Sequence, residues 1–475
     1  MEDTNLKKRS LLLIAVMVVS LLAACSQQTQ QPQVDNSEKN TEVTTDVLVI
    51  GGGGAGMVSG ITAAENGSKV IIVEKMPMLG GNTIISATGI TASDTDLHEK
   101  AGIPFTVEDH IKKTMETGKN LPDEKLVRIL AENSNDAYEW LVSMGLSYKL
   151  DEKEPWWIIP VEGHYGRQLF NAFNTKVEEL GDKIEIKLDT KATELIVEEG
   201  KVVGAKVADK EGKEFVIKAN SVVIATGGFG NAPELIGEYN KNYVGAHNIM
   251  STAGSTGDGF KMAVAVGAGT RDMEHHQMRP LATPGYWIRE TVINEEGLGG
   301  ILVNTSAVRF TNETLKPLEL VPQILKQTDR IAYVVFDSEM AATKNGTSAI
   351  KNGNMIEAAT IEELAGKLGL DSAKLMETVN SYNEGVDEFG RSTMGKVTVG
   401  PFYGVKVAPS SHYTMAGIAI NENAQVTNES GEAIPGLYAA GEVVGGLYGA
   451  GRIAGNNTLD DIVFGKIAGK NASVK

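Results

Sequence analysis

The sequence predicts an α/β fold, and three segments carry that prediction. Residues 46–75, DVLVIGGGGAGMVSGITAAENGSKVIIVEK, run from an apolar strand through a glycine cluster and a small-residue helix into a second strand. Residues 221–231, SVVIATGGFGN, form another buried strand that ends in glycines. Residues 436–465 supply a further strand, then Glu442, then a helix beginning around Asn457. Strands that alternate with helices in this way mark an α/β domain.

Ahead of that core, Lys7, Lys8 and Arg9 precede an almost wholly apolar run over residues 11–24, and Cys25 directly follows Leu22, Ala23 and Ala24. The run is too short for a comfortable membrane span and reads as a secretory signal. The stretch resembles a bacterial lipobox, which implies that Cys25 is lipidated and anchors the mature chain at the outer face of the cell membrane. The plainer reading is an ordinary signal peptide or anchor helix with a chance cysteine; either way the chain leaves the cytoplasm. Residues 26–41 hold Gln, Asn, Ser, Glu and Lys with almost nothing to bury, so they read as a flexible tether, and structure should begin near Val43. About 430 residues then remain, enough for two domains.

Cys25 is the only cysteine among the 475 residues, so once it is an anchor no thiol is left for a disulfide, an iron–sulfur cluster or haem attachment. Any redox centre is therefore organic. The formal net charge of -17 argues against nucleic acid as a partner, because phosphate binding needs clustered Lys and Arg. His275 and His276 have no H-x-x-x-H or cysteine cluster beside them, so no metal site is expected.

Within residues 46–75 the glycines Gly51, Gly53 and Gly56 fall in G-x-G-x-x-G spacing between strand and helix, and the second strand ends at Glu74. Glycine permits the tight turn and close backbone approach, the helix N-terminus faces a pyrophosphate, and Glu74 accepts from a ribose hydroxyl. This constellation predicts a dinucleotide site. Outside the cytoplasm no nicotinamide pool is available for exchange, which favours a retained flavin. Residues 183–218 read as short alternating strands with turns at EEGK and DKEGK, leading into the strand at 221.

These motifs, with GGNTIISATG, STGDG, GGILVNTSAVRFTNE, HYTMAG, GLYAAGEV and GAGRIAGNN in the same order, resemble the flavoproteins of the fumarate reductase and succinate dehydrogenase superfamily, especially its secreted, soluble fumarate reductase branch. Urocanate reductase is similar. The resemblance covers residues 45–469. It implies a Rossmann-like FAD-binding domain of the glutathione reductase type, over residues 42–271 and 409–475, with an inserted α+β capping domain over 272–408. Its implied FAD contacts are Gly51, Gly53, Ala55, Gly56, Glu74, Gly81, Asn82, Thr83, Thr226, Gly227, Gly228, Asp258, Tyr413, Glu442, Asn457 and Thr458. Asn82 stands where the membrane-complex enzymes have a histidine bonded to flavin, so non-covalent FAD is expected.

The resemblance also implies an enoate reductase chemistry: FAD passes hydride to the double bond of a small unsaturated carboxylate, fumarate by default, in anaerobic respiration. By the same resemblance Arg309 donates the proton, while His412 and Arg452 bind a substrate carboxylate. Cations placed where negative charge develops lower such a barrier most. Other enoates of the urocanate, cinnamate or acrylate type, a dehydrogenase or oxidase running in the opposite direction, and a non-catalytic ligand-binding lipoprotein are the competing readings.

Several positions depart from the family pattern. Arg279, in QMRPLATP, replaces a histidine that contacts the second carboxylate; it either grips that carboxylate or pairs internally with a glutamate. In WIRETVINEEGLGG the best register puts Arg289 and Glu290 at the family's Thr-Glu pair, so that Glu290 serves the family's acid–arginine proton relay, but puts Ile293 at its relay arginine, leaving Glu296 or Arg289 as substitutes. Trp156, Trp157, Tyr286 and Trp287 fall in segments that border the cleft, as a bulkier substrate pocket or as packing. No C-x-x-C-H motif and no spare domain accompany the chain, so a separate membrane-associated electron donor is expected.

Overall fold

Val47, Leu48 and Val49 are fully buried and Ile50 is 4% exposed, which places the strand Glu42–Ile50 inside a sheet covered on both faces. It pairs in parallel with Val70–Val73 on one side and Glu214–Ile224 on the other. Ile184–Lys187 extends the sheet beyond Val70–Val73, and Ala433–Ala439 pairs in parallel with the end of Glu214–Ile224. A hairpin of Lys191–Glu198 and Lys201–Ala208 lies against the first half of that long strand, turned at Glu199 and Gly200, both with positive φ. The computed structural model describes residues 42–86, 89–294, 297–385, 387–391 and 395–473; Cys25, the tether at 26–41 and Glu296 lie outside them.

The glycine cluster crosses from the first strand into the helix Gly54–Glu65. Gly51 has φ +110°, and a Cβ there would sit 2.3 Å from the Ala225 carbonyl oxygen, so a side chain would push the first strand off its neighbour. A Cβ on Gly56 would meet the Gly51 carbonyl oxygen at 1.9 Å, which fixes how closely the helix packs on the turn. The C-terminal helix Asn456–Ala472 packs along Gly54–Glu65 and completes this larger core.

A second, antiparallel sheet takes the order Tyr286–Trp287, His276–Thr283, Phe402–Thr414, Ala332–Phe336, Gly300–Val303, with Ile356–Ala358 paired to the start of Phe402–Thr414. Alternate side chains divide between its faces, as strand geometry requires. Leu302, Val334 and Phe336 join a core with Leu320 and Ile324 from the helix Pro317–Leu325. Ile301, Val303 and Val335 join a separate core with Leu364, Leu375 and Tyr382. The strand Phe402–Thr414 runs unbroken from this sheet to the larger core, pairing by Val405–Val407 with Ala332–Val334 and by Ser410–Thr414 with His276–Arg279.

Candidate active site

The cofactor residues surround the turn after the first strand. Glu74 closes the second strand, and its carboxylate accepts from the backbone N–H groups of Gly52 and Met76, each at 2.8 Å. Gly53 has open space where a Cβ would project, and so does Gly227, at φ +69°. Thr226 Oγ1 is buried without a hydrogen-bond partner. A glycine turn open on its outer side, an uncapped helix N-terminus and an orphaned hydroxyl fit the phosphate and ribose of a dinucleotide, and FAD fits this donor set.

Asn82 lies at the centre of a polar network. Its Nδ2 donates to Glu442 Oε2 and Ser255 Oγ, each at 3.1 Å, while its Oδ1 accepts from the Thr252 N–H and hydroxyl. Glu442 also accepts from the Thr414 N–H at 2.9 Å, and desolvation raises its carboxyl above the ordinary range. Thr83 Oγ1 accepts from the Gly54 N–H and donates to Asp461 Oδ2 at 2.9 Å; Asp461 is pushed up to about 7, chiefly by desolvation. A Cβ on Gly81, at φ +50°, would sit 3.6 Å from the Gly53 Cα, and Ala55 and Gly228 are buried. Asp258, by contrast, is held by Lys75 at 2.7 Å, and Thr458 bonds to the Gly89 and Gly455 carbonyls. Asn457 supports the substrate cluster: its Oδ1 accepts from Arg452 Nη1 at 2.6 Å.

That cluster forms where His276–Thr283 pairs with the end of Phe402–Thr414. Arg452 reaches in from the loop before the C-terminal helix, donates through Nη2 to Gln277 Oε1 at 3.0 Å, and lies 4.5 Å over the Tyr413 ring. Arg279 stacks 4.0 Å over Trp287, and Trp287 in turn tilts against His412 at 5.9 Å between ring centres. Among the described residues the arginines in ion pairs are Arg128, Arg309 and Arg391, so Arg279 and Arg452 have no carboxylate of their own. Arg279 Nε, Arg452 Nε and Trp287 Nε1 are all buried without hydrogen-bond partners.

The electrostatics follow from that crowding of cations. Desolvation, with Arg279 and Arg452 adding to it, depresses His412 to about 3, so the imidazole is neutral near pH 7. Desolvation lowers Arg279 to about 10 although Glu290 opposes it. Glu290 is raised by desolvation against the pull of Arg279 and Arg289, and its Oε1 is buried without a partner. Unpaired cationic N–H donors around one wall make a site for a small anion, since a buried uncompensated charge is costly until a counter-charge arrives.

Arg309, expected as the proton donor, is held by carboxylates. It donates through Nε and Nη2 to both oxygens of Glu313, at 2.9 and 2.7 Å, and through Nη2 to Asp387 at 3.2 Å. Glu313 is fully buried and also accepts from the Leu302 N–H and from Arg391 Nη1. Desolvation pulls the Arg309 guanidinium down, but its bonds to Glu313 and Asp387 prevail and hold it above its ordinary value. The motif therefore folds into a structural ion pair.

Of the four aromatic residues expected at a cleft, Trp287 reaches the cluster. Tyr286 bonds through its hydroxyl to Ser348 and packs on the second sheet's core. Trp156 stacks on Phe105 and under Lys113, and Trp157 lies in the separate small sheet with Ile90–Thr91. Sequence reasoning missed Gln277, which orients Arg452, and Asp461, which holds Thr83. Gln277 lies two residues before Arg279, but only the fold brings it to Arg452.

This arrangement agrees with what the chain resembles. A family model described as an FAD binding domain matches residues 46–458. A probable fumarate reductase of Shewanella frigidimarina is 36% identical over 440 residues, 88% of this chain and 73% of that one. A urocanate reductase of Eggerthella lenta is 31% identical over 446 residues, 88% of this chain and 73% of the relative. The open conformation of a flavocytochrome c3 fumarate reductase superposes with a TM-score of 0.83 at 36% identity, covering 90% of this chain and 78% of that one. With a glycine-rich cofactor turn beside a cationic cluster and with relatives of this identity, the chain belongs to the fumarate reductase and succinate dehydrogenase flavoprotein superfamily and is an FAD-dependent oxidoreductase of the class acting on CH–CH groups.

Proposed function

We propose that the protein reduces the double bond of a small unsaturated carboxylate, with fumarate as the default substrate. The observation that carries this reading is the pair of arginines, Arg279 and Arg452, whose Nε atoms are buried and unpartnered. The names of the relatives, fumarate and urocanate reductases, support the same chemistry. Two guanidinium groups without a carboxylate partner suit a dianion better than a monoanion, which favours a dicarboxylate.

FAD, held by Glu74, Gly53, Thr226, Gly227 and the Asn82–Glu442 network, supplies the hydride when reduced. Arg452, steadied by Gln277 and Asn457, orients one substrate carboxylate. Arg279 binds the second carboxylate and stabilises the negative charge that develops beside it. Neutral His412 donates one N–H to the substrate without adding charge. Trp287 forms the wall that keeps water from the reacting bond. Residues 272–408 act as the cap over the flavin domain of residues 42–271 and 409–475, and FAD is held without a covalent bond because Asn82 offers an amide.

The same reading places the enzyme outside the cytoplasm, at the cell membrane, anchored through a lipid on Cys25 and supplied with electrons by a separate membrane-associated donor. The test uses residues 26–475 loaded with FAD and reduced chemically under argon, with flavin reoxidation followed for a panel of unsaturated acids. Rapid reoxidation by fumarate supports the dicarboxylate; reoxidation by aromatic or monocarboxylate enoates alone reassigns Arg279 and Trp287 to a different pocket; silence from every acid overturns the reading. Release of the flavin by denaturation tests the non-covalent attachment.

A further inference from the structure

A second arginine shares the ring on which Arg279 stacks. After Thr283 the chain turns at Pro284 and Gly285, with Gly285 at φ +74°, the Pro-Gly pairing that a type II turn favours. Thr283 then pairs with Tyr286 and Ala282 with Trp287, so Trp287 stands on the same hairpin as Arg279. The Ile288 N–H donates to the Leu281 carbonyl and the Val292 N–H donates to the Arg289 carbonyl, which fixes the backbone on both sides of Arg289. Ile288 and Val292 are fully buried, whereas Arg289 is exposed. Its guanidinium lies 5.2 Å from the centre of the Trp287 ring, and that of Arg279 lies 4.0 Å from the same centre. The ring also tilts against His412 at 5.9 Å. Exposed Arg289, then half-buried Trp287, Arg279 and His412, therefore lead from solvent into the anion cluster. Among the described residues no ion pair joins Arg289 to a carboxylate.

We propose that Arg289 is the capture residue of this site: it meets the anionic substrate in solvent and passes it along the Trp287 ring to Arg279. This rests on the enoate reductase reading and adds to it how the substrate arrives. A formal net charge of -17 surrounds the chain with a field that repels a dicarboxylate from afar. An exposed cation with no carboxylate to neutralise it reverses that field locally, over about 10 Å at 0.1 M salt. The indole face steadies both guanidinium groups without cancelling their charge, because a cation–π contact supplies no counter-ion. The two cations differ in depth, and that difference gives direction. Pairing in water is weak, so Arg289 holds the anion briefly, whereas the more deeply buried Arg279 holds it firmly. Arg289 therefore acts on the rate of arrival, more for a dianion than for a monoanion, and takes no part in the bond changes.

The test compares wild type, Arg289→Gln and Arg289→Lys as FAD-loaded proteins reduced under argon and mixed with the acid that reoxidises wild type fastest. Arg289→Gln should lower the second-order rate constant by about 5-fold or more at about 20 mM salt, and the gap should close to within about 2-fold at about 500 mM. Its limiting rate at saturating acid should stay within about 3-fold of wild type. Arg289→Lys, which keeps the charge and loses the planar stack, should retain most of the second-order rate. Association of the same acid with the oxidised protein, followed by tryptophan fluorescence, should show the same salt-dependent gap without turnover. A loss in Arg289→Gln that is equal at both salt concentrations, or an Arg289→Lys as slow as Arg289→Gln, makes the residue a packing element and overturns the capture role. A limiting rate that falls while the second-order gap is absent places Arg289 in the chemistry and overturns it too. A wild type that no acid reoxidises overturns the enoate reductase reading, and the fluorescence comparison then decides the capture role alone; no association with any acid overturns both.

Discussion

Arg309 and Glu313 face each other fork to fork, with Nε on one carboxylate oxygen at 2.9 Å and Nη2 on the other at 2.7 Å. Glu313 is fully buried and Arg309 is 7% exposed, so removing one partner strands a desolvated charge. Arg309→Ala or Glu313→Gln should therefore destabilise the protein by about 3–5 kcal/mol. Urea or thermal unfolding checks this. Arg309→Lys, which keeps a cation beside Glu313, should lose stability while folded, FAD-loaded molecules keep their flavin reoxidation rate; a loss of rate without loss of stability would restore Arg309 to the chemistry.

Arg279 carries its charge without a partner and stacks on Trp287. Arg279→Leu should therefore be neutral or mildly stabilising in the protein without substrate, yet cost about 2–5 kcal/mol in binding a dicarboxylate. Isothermal titration with fumarate and with a monocarboxylate analogue separates the two contributions. The monocarboxylate should lose much less affinity if it uses Arg452 instead.

Asp461 gives the protein without FAD a stability that falls between pH 3.8 and about 7. Its carboxyl is raised from 3.8 to about 7 in the folded chain, chiefly by desolvation. A group raised on folding contributes stability that is complete below its unfolded value and lost as pH rises through its folded value. Stability of the FAD-free protein should thus decline as pH rises from 3.8 to about 7 and level off above that. Asp461→Asn, whose side-chain oxygen still accepts from Thr83, should flatten that decline in urea midpoints measured between pH 5 and about pH 9.

His276 acts on the acid side. Its ring is 2% exposed, and desolvation lowers it from 6.5 to about 4 against an opposing hydrogen bond with the Met273 backbone. A group depressed on folding contributes stability above its unfolded value and loses it as pH falls toward its folded value, here a window from 6.5 to about 4. His276→Leu should remove up to about 3 kcal/mol of that acid sensitivity. The slope of stability against pH below 6.5 is the readout, and an unchanged slope refutes the assignment.

The cofactor half of the molecule was legible because its requirements are local. The strand expected at residues 46–50 is the end of Glu42–Ile50, the turns expected at EEGK and DKEGK separate the strands seen there, and the helix expected near Asn457 starts at Asn456. Glycine spacing and alternation act over a few residues, so sequence carries them. The substrate cluster was legible only in part. Arg452 meets Gln277 across 175 positions, and no periodicity announces that contact. Arg309 was legible as a matched motif, but its bonds to Glu313 and Asp387 were not. Arg309 and Glu313 lie four residues apart but outside any helix, so their spacing alone does not announce the pair.

The unbroken strand Phe402–Thr414 sets a limit on how this protein can be recombined. Its early residues belong to the second sheet and its late residues, with His412, to the anion cluster. A cap exchanged with a relative's as a cassette would have its downstream seam inside that strand, and the graft would inherit a misregistered His412 unless the whole strand travelled with it. The placement of His412 and the strand's register are therefore a single heritable unit, and chimaeras made at this strand's ends should stay foldable where those made within it do not.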